Sequence, residues 1–549
     1  MNKKLLTLIL PVFFLFNSCD LMKTNTGLIL YNAKIYTVDP AGTIAGAMAV
    51  KDGKVLATGS TQDILGRYKS ENMLDAGGKA VFPGFIDAHC HFYGYALNFR
   101  SIVLNGSNSF QEVLKRLKMA GTPAPGKWVV GRGWDNNLWK VKLFPNCKAL
   151  DDIYPDNPVV LIRIDGHAVL ANSKALQMTG NGVHHSFIPD EVEIKNGRLT
   201  GILKENAADH MRQAVPKPDP DGIRKLIARA REDCFSVGLT TVSDAGLDAA
   251  TVSLYDSLSS GKDSAGMIRI YAMLEPSIEN TGKYISRGPY RTPRLAVSSV
   301  KVYSDGSLGS RTALMKQPYH DMPGQHGIRV ITADSLRKIC KLCFDHGYQV
   351  NTHAIGDSAN KFVLDIYGEY LKGGNDRRWR IEHCQVVDPA DICKFKKYSV
   401  IPSVQATHAT SDMGWAKDRL GDERIRWAYA YKDLMKQNGW IANGTDFPIE
   451  NISPVYTFYA AVVRKDIKGN PPEGFQPENA LSREEALRSI TIWAARADRW
   501  EDEIGSLEPG KNADFVIVDK DIMQINEEEI PLSRVISTYL SGKQVYKKP

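Results

Sequence analysis

The chain has 549 residues, 43% of them hydrophobic and 24% charged, which is an ordinary globular balance on a length that can bury a large core. Its formal charge of +7 is a weak bias on a body of this size, and no basic run with interleaved aromatics accompanies it, so nucleic acid is excluded as an expected partner. Eight cysteines without dense spacing predict no disulfide framework.

At the amino terminus, Lys3 and Lys4 precede an apolar run over 5–16 that is too short to span a membrane comfortably. Phe16-Asn17-Ser18-Cys19 follows it and resembles a bacterial lipobox, with phenylalanine where leucine is usual. The segment 1–19 is therefore expected to be a lipoprotein signal, with Cys19 lipidated and first in the mature chain. A cleaved signal without lipid and an uncleaved anchor are the alternatives. The expected location is the bacterial cell envelope, lipid-anchored and facing the periplasm. Loss of Lys3 and Lys4 lowers the charge from +7 by 2 to +5, since an acylated Cys19 brings no free amine.

Short strands are predicted over 28–38, 47–51 and 54–58, and Asp52-Gly53 reads as a hairpin turn between the last two. The carboxy terminus has the same texture, with strands over 513–519, 535–540 and 544–546. The segments 20–80 and 503–549 are expected to pair into one β domain around a central insert over 81–502. Within that insert, apolar strand-like runs occupy 80–91, 238–245, 268–274, 297–305, 349–353, 379–383, 400–405 and 440–446, most followed by a helical stretch. Eight strand–helix units are the number a (β/α)8 barrel needs, and that fold places chemistry at the carboxy-terminal ends of its strands. Cys340 and Cys343 form a C-x-x-C within helical apolar spacing, which reads as a buried helix face.

The strand ends carry the signal. His89 and His91 end the first run, His353 the fifth, His383 the sixth and Asp446 the eighth. An H-x-H pair alone is either a metal clip or a polar strand end, because period-two alternation sends Asp87, His89 and His91 to one side. Four histidines and an aspartate on one barrel rim, in a chain with 12 histidines, point to metal. Neutral imidazoles and a carboxylate suit zinc or a related divalent ion. Lys301, in the fourth run, cannot ligate as an ammonium and on that ground reads as solvated or ion-paired.

These residues, together with Pro83-Gly84-Phe85-Ile86-Asp87-Ala88-His89-Cys90-His91 and the closing Gly505-Ser506-Leu507-Glu508-Pro509-Gly510-Lys511-Asn512-Ala513-Asp514, resemble the amidohydrolase superfamily. Within it the match is to YtcJ-like metal-dependent hydrolases, which include N-substituted formamide deformylases. The resemblance covers nearly the whole mature chain. It implies an α/β fold, a distorted TIM (β/α)8 barrel with a β-sandwich formed by both termini, and one or two divalent ions, zinc foremost. It further implies that His89 and His91 hold one ion with Asp446, and that His353 and His383 hold the second. Lys301 would bridge both after N6-carboxylation.

The expected reaction is hydrolysis of a non-peptide C–N bond in a small-molecule amide, with Asp446 accepting a proton from the attacking water and donating it to the departing nitrogen. An esterase, lactonase or imidase on the same site, and a catalytically silent binding protein, are the alternatives. Specificity is expected from an inserted cap at about 95–235, where Trp134 could wall a pocket and Asp135, His167 and Glu205 could orient polar groups, or all four could be structural. Arg311 reads either as a carboxylate binder or as a loop anchor. His408 and Gly421-Asp422-Glu423-Arg424, beyond the seventh run, stay outside the ligand set, and a homodimer is the assembly considered.

Overall fold

A computed structural model describes residues 23–179, 187–260 and 266–549. The signal segment and Cys19 lie outside the described residues. Eight strands, β1 Phe85–Cys90, β2 Leu239–Leu247, β3 Arg269–Leu274, β4 Leu295–Tyr303, β5 Gln349–Ala354, β6 Arg380–His383, β7 Ile401–Val404 and β8 Ala442–Asn443, pair in parallel and in chain order. This is the distorted barrel expected from the eight runs. Its seam between β8 and β1 is held by loop backbone rather than by a ladder: the Asp446 amide donates to the His89 carbonyl at 2.8 Å, and the His91 amide to that of Phe447 at 2.8 Å.

The first predicted run is in fact two strands. Residues Ala80–Pro83 pair antiparallel with Phe515–Val518 and parallel with Lys34–Tyr36, in a six-stranded sheet that joins the two chain ends. Gly84 then lets the chain step into the barrel, because a Cβ there would fall inside contact distance of the Thr240 side chain. A continuous apolar pattern conceals this change of sheet, since both halves are buried on both faces. A second sheet of Leu28–Tyr31, Ala47–Lys51, Lys54–Gly59 and Met73–Asp75 completes the terminal domain. Leu30, Met48, Val50, Val81, Phe515 and Ile517 belong to one buried cluster that joins the two sheets.

Between β1 and β2 lies a cap built on its own six-stranded mixed sheet, formed by Ile102–Val103, Val129–Trp134, Val159–Arg163, Ala168–Ala171, Arg198–Lys204 and Val192–Lys195. The cap ends earlier than expected. Helix Pro220–Ser236 belongs to the barrel layer, because Ile223, Ile227, Ala230, Cys234 and Phe235 sink into the main core rather than into the cap. Cys340 and Cys343 are buried on helix Ala333–His346, in accord with the helix-face reading.

Candidate active site

The carboxy-terminal ends of the strands open into a cavity of about 1390 Å³ whose other wall is the cap. His91, Lys301, His353, His383 and Asp446 line its floor. His89 stands fully buried just beneath, its ring 5.6 Å from that of His91 and 5.0 Å from that of His383. Ligand-type atoms of His89, His91 and Asp446 lie within 4.8 Å of one another, as do those of His383, His408 and Asp446. His353 stands one ring further out, 4.6 Å from His383, with Nε2 set against the Gly306 carbonyl at 3.2 Å. Lys301 Nζ is 3.1 Å from His89 Nε2.

Two residues absent from the expected set complete this arrangement. His408 spans two carboxylates, with Nε2 3.2 Å from Asp446 and Nδ1 3.0 Å from Glu450. Glu382 accepts from His89 Nδ1 at 2.7 Å, which directs the His89 Nε2 lone pair into the site. Alternation along β6 would send Glu382 and His383 to opposite faces. His383 instead adopts φ 74°, and both side chains reach His89. Asp446 has φ 60° and Glu205 φ 46°, so three site residues hold left-handed backbone, as strained functional positions do.

The electrostatics keep the His91, His353 and His383 imidazoles neutral and Asp446 ionised, whereas His408 is held protonated: burial opposes this, but its hydrogen bonds to Asp446 and Glu450 raise it well above the ordinary histidine value. Burial pulls His91 down to about 4 and drives His353 and His383 well below the ordinary histidine value. Burial alone would raise Asp446, but hydrogen bonds from His408 and His91 and the neighbouring imidazoles carry it well below the carboxylate range. Burial pushes the Lys301 ammonium down to about 8, against the attraction of Glu382 and Asp446. His383 Nδ1 is buried without a hydrogen-bond partner among the described residues, and Asp446 Oδ1 meets only the imidazole nitrogens of His91 and His89, at 3.3 and 3.6 Å. Such atoms are costly unless something binds them, and neutral imidazole nitrogens with an ionised carboxylate are the donor set of a divalent ion.

The cap residues divide. Asp135 and His167 line the cavity, and Glu205 holds His167 Nδ1 at 2.7 Å. Burial opposes protonation of His167, but the Glu205 carboxylate raises its pKa above the ordinary value. Asp135 is tied to Arg163 at 2.5 Å. Trp134 does not wall the pocket. The register shifts between Arg132 and Trp134, where Gly133 has φ 104°, and the indole turns into the cap core. There it is 1% exposed, tilted against the Trp139 ring and donating to the Leu161 carbonyl at 2.9 Å. Arg311 is a loop anchor: its guanidinium bonds both oxygens of Asp321, at 3.1 and 2.8 Å.

Residues 72–546 match the profile described as the amidohydrolase family. The chain is 33% identical over 542 residues to the protein LONG AFTER FAR-RED 3 of Arabidopsis thaliana, covering 94% of this chain and 91% of that one. It is 29% identical over 532 residues to YtcJ of Bacillus subtilis strain 168, over 95% and 99%. With the N-substituted formamide deformylase of Arthrobacter pascens it shares 26% over 559 residues, covering 95% and 98%. Among solved structures it resembles an uncharacterized metal-dependent hydrolase from Pyrococcus horikoshii OT3, with a TM-score of 0.73 at 30% identity over 91% and 98% of the chains.

Proposed function

The chain belongs to the amidohydrolase family of metal-dependent hydrolases, and from that premise we propose that it hydrolyses a non-peptide C–N bond in a small-molecule amide of the N-formyl or N-acyl amine class. The observation that carries the reading is the convergence of His89, His91, His383, His408 and Asp446 at the floor of the cavity. The 26% identity to an N-substituted formamide deformylase along nearly its whole length supports the bond type.

In this reading His89, His91 and Asp446 hold one divalent ion, zinc foremost. His383 would belong to a second position with His353. Lys301, once its amine had added carbon dioxide and lost a proton, would offer anionic carbamate oxygens as ligands beside His89. A bound divalent ion supplies Lewis acidity to water and to the substrate carbonyl. Asp446 takes the proton of the attacking water and returns it to the departing nitrogen. His408 and its Glu450 partner fix the plane of that carboxylate. His167, held by Glu205, and Asp135, held by Arg163, present polar groups to the substrate.

The test is one purification analysed for metal stoichiometry and Lys301 mass, then assayed on N-formyl and N-acyl amines beside matched esters. Amide turnover that disappears in His89→Ala is the expected result. Turnover of esters alone, or full activity in His89→Ala, overturns the reading. We further propose envelope anchoring through lipid on Cys19, supported by the pattern over 1–19. Incorporation of labelled palmitate that survives in Cys19→Ser overturns it.

A further inference from the structure

The amide reading leaves the substituent on nitrogen undefined, and one side chain in the cavity bears on it. Three guanidinium groups that line the cavity are wholly or partly buried: Arg132, Arg163 and Arg212. Arg163 is paired with Asp135 and Asp165, and Arg212 with Asp209. Arg132 makes no ion pair among the described residues. A single long contact, 3.4 Å from Nη2 to the Ile164 carbonyl, holds it, and its buried Nε has no hydrogen-bond partner among the described residues.

The setting sharpens the imbalance. Arg212 Nη1 donates to the Gly166 carbonyl at 2.6 Å, and a Cβ built on Gly166 would stand 3.4 Å from Arg212 Nη1 and 4.0 Å from Arg132 Nη2. Two guanidinium ends therefore converge on one turn, with a carboxylate partner for only one of them. Burial, and then the nearby Arg212 charge, lower Arg132 to about 10. Asp165 and Asp446 attract it only at a distance, and no Asp165 oxygen pairs with it, because they are taken by Arg163, Ser307, Ser310 and the His167 amide. An unpaired guanidinium facing a ligand cavity costs stability unless an anion meets it. The same turn leads into His167, whose ring is 5.0 Å from that of His353, so the free charge sits one turn from the candidate centre.

We propose that Arg132 receives a carboxylate carried on the amine substituent of the substrate, a few bonds from the scissile C–N bond. A planar guanidinium edge matches the two oxygens of a carboxylate. A dianionic phosphate would meet the fields of Asp135, Asp165, Glu205 and Asp446 with only one unpaired cation to offset them. The inference rests on the amide reading for its substrate class, but the anion subsite stands or falls separately.

N-formylphenylalanine and N-formylphenethylamine differ only in that carboxylate. The acid is expected to be the better substrate, and in Arg132→Gln the ratio of kcat/KM between the two should fall about 30-fold, carried by KM. Arg132→Lys, which keeps charge but not the fork, should retain part of the ratio. Melting temperature verifies folding of each variant. Calorimetric titration of the metal-loaded protein with 3-phenylpropionate gives a readout without turnover, and its affinity should weaken about 10-fold or more in Arg132→Gln. An unchanged ratio with unchanged affinity overturns the subsite even if amides are hydrolysed. Weakened 3-phenylpropionate binding with no amide turnover in the unaltered protein leaves the subsite standing and overturns the amide reading.

Discussion

Replacing Glu382 with glutamine removes one negative charge from beneath the site while keeping the side chain's volume. Glu382 and His89 are both fully buried, and the carboxylate accepts from His89 Nδ1 at 2.7 Å while its second oxygen has no hydrogen-bond partner among the described residues. A hydrogen bond to a charged group contributes about 1.5–3 kcal/mol and a neutral one about 0.5–1.5 kcal/mol. The substitution therefore weakens the orientation of His89 by about 1–1.5 kcal/mol, or about tenfold in an equilibrium constant. A carboxylate behind a ligating histidine also raises its basicity, which extends the expected loss to between 10-fold and 100-fold in metal affinity. Competition of the metal-free protein with a chromogenic chelator for zinc measures it. Glu382→Ala, which leaves the His89 N–H buried and unpaired, should lose more. Zinc affinity in Glu382→Gln within twofold of the unaltered protein, alongside a large loss in His89→Ala, would refute the orienting role.

Trp134→Ala should destabilise the cap by about 3–5 kcal/mol, seen as faster hydrogen exchange over 129–163, because the indole fills the cap core; lost substrate affinity with unaltered exchange would return Trp134 to the pocket wall. Gly84→Ala should cost about 1–3 kcal/mol, since its Cβ meets Thr240, and the double variant with Thr240→Ala should recover part of the melting temperature. Burial opposes it, but Arg163 and then His167 hold Asp165 at about 2, against about 3.9 in the unfolded chain. A depressed carboxyl contributes stability that is complete above the unfolded value and lost as pH falls through the folded one. Asp165→Asn should thus remove about 2 kcal/mol of pH-dependent stability between pH 4 and 2; equal acid slopes in the two proteins would contradict this.

The barrel is legible in the sequence because parallel strands covered on both faces are near-continuous apolar runs, and each run's polar end marks the rim. His89 and Lys301 follow from this directly, since regular alternation along β1 and β4 delivers their side chains inward. The same rule hides the step at Gly84, where two strands of different sheets share one apolar pattern and only the close approach to Thr240 betrays the corner. Sequence spacing likewise holds no trace of the cap's inward turn at Trp134, because a one-residue register shift reverses which face a side chain takes.

What escapes the sequence in the site itself lies where the backbone leaves the regular strand. His408 is on the short helix Ala406–Asp412 that follows β7, and no run ends on it, yet it meets Asp446 because the eighth strand is only two residues long and the loop after it curls back against His89. The aspartate's neighbours are thus set by seam closure, not by periodicity. Glu382 is hidden by the opposite effect: it stands on a strand next to a histidine that claims the attention, and only the left-handed φ of His383 lets both face the same ring. Glu382 and His408 both lie against residues on left-handed backbone, His383 and Asp446, and Glu205 takes that conformation itself. Strain of this sort persists only when the surroundings fix it. The shared conformation therefore joins His167 and Glu205 of the cap to the rim residues of the barrel as one preorganised unit, with the unpaired Arg132 at its edge.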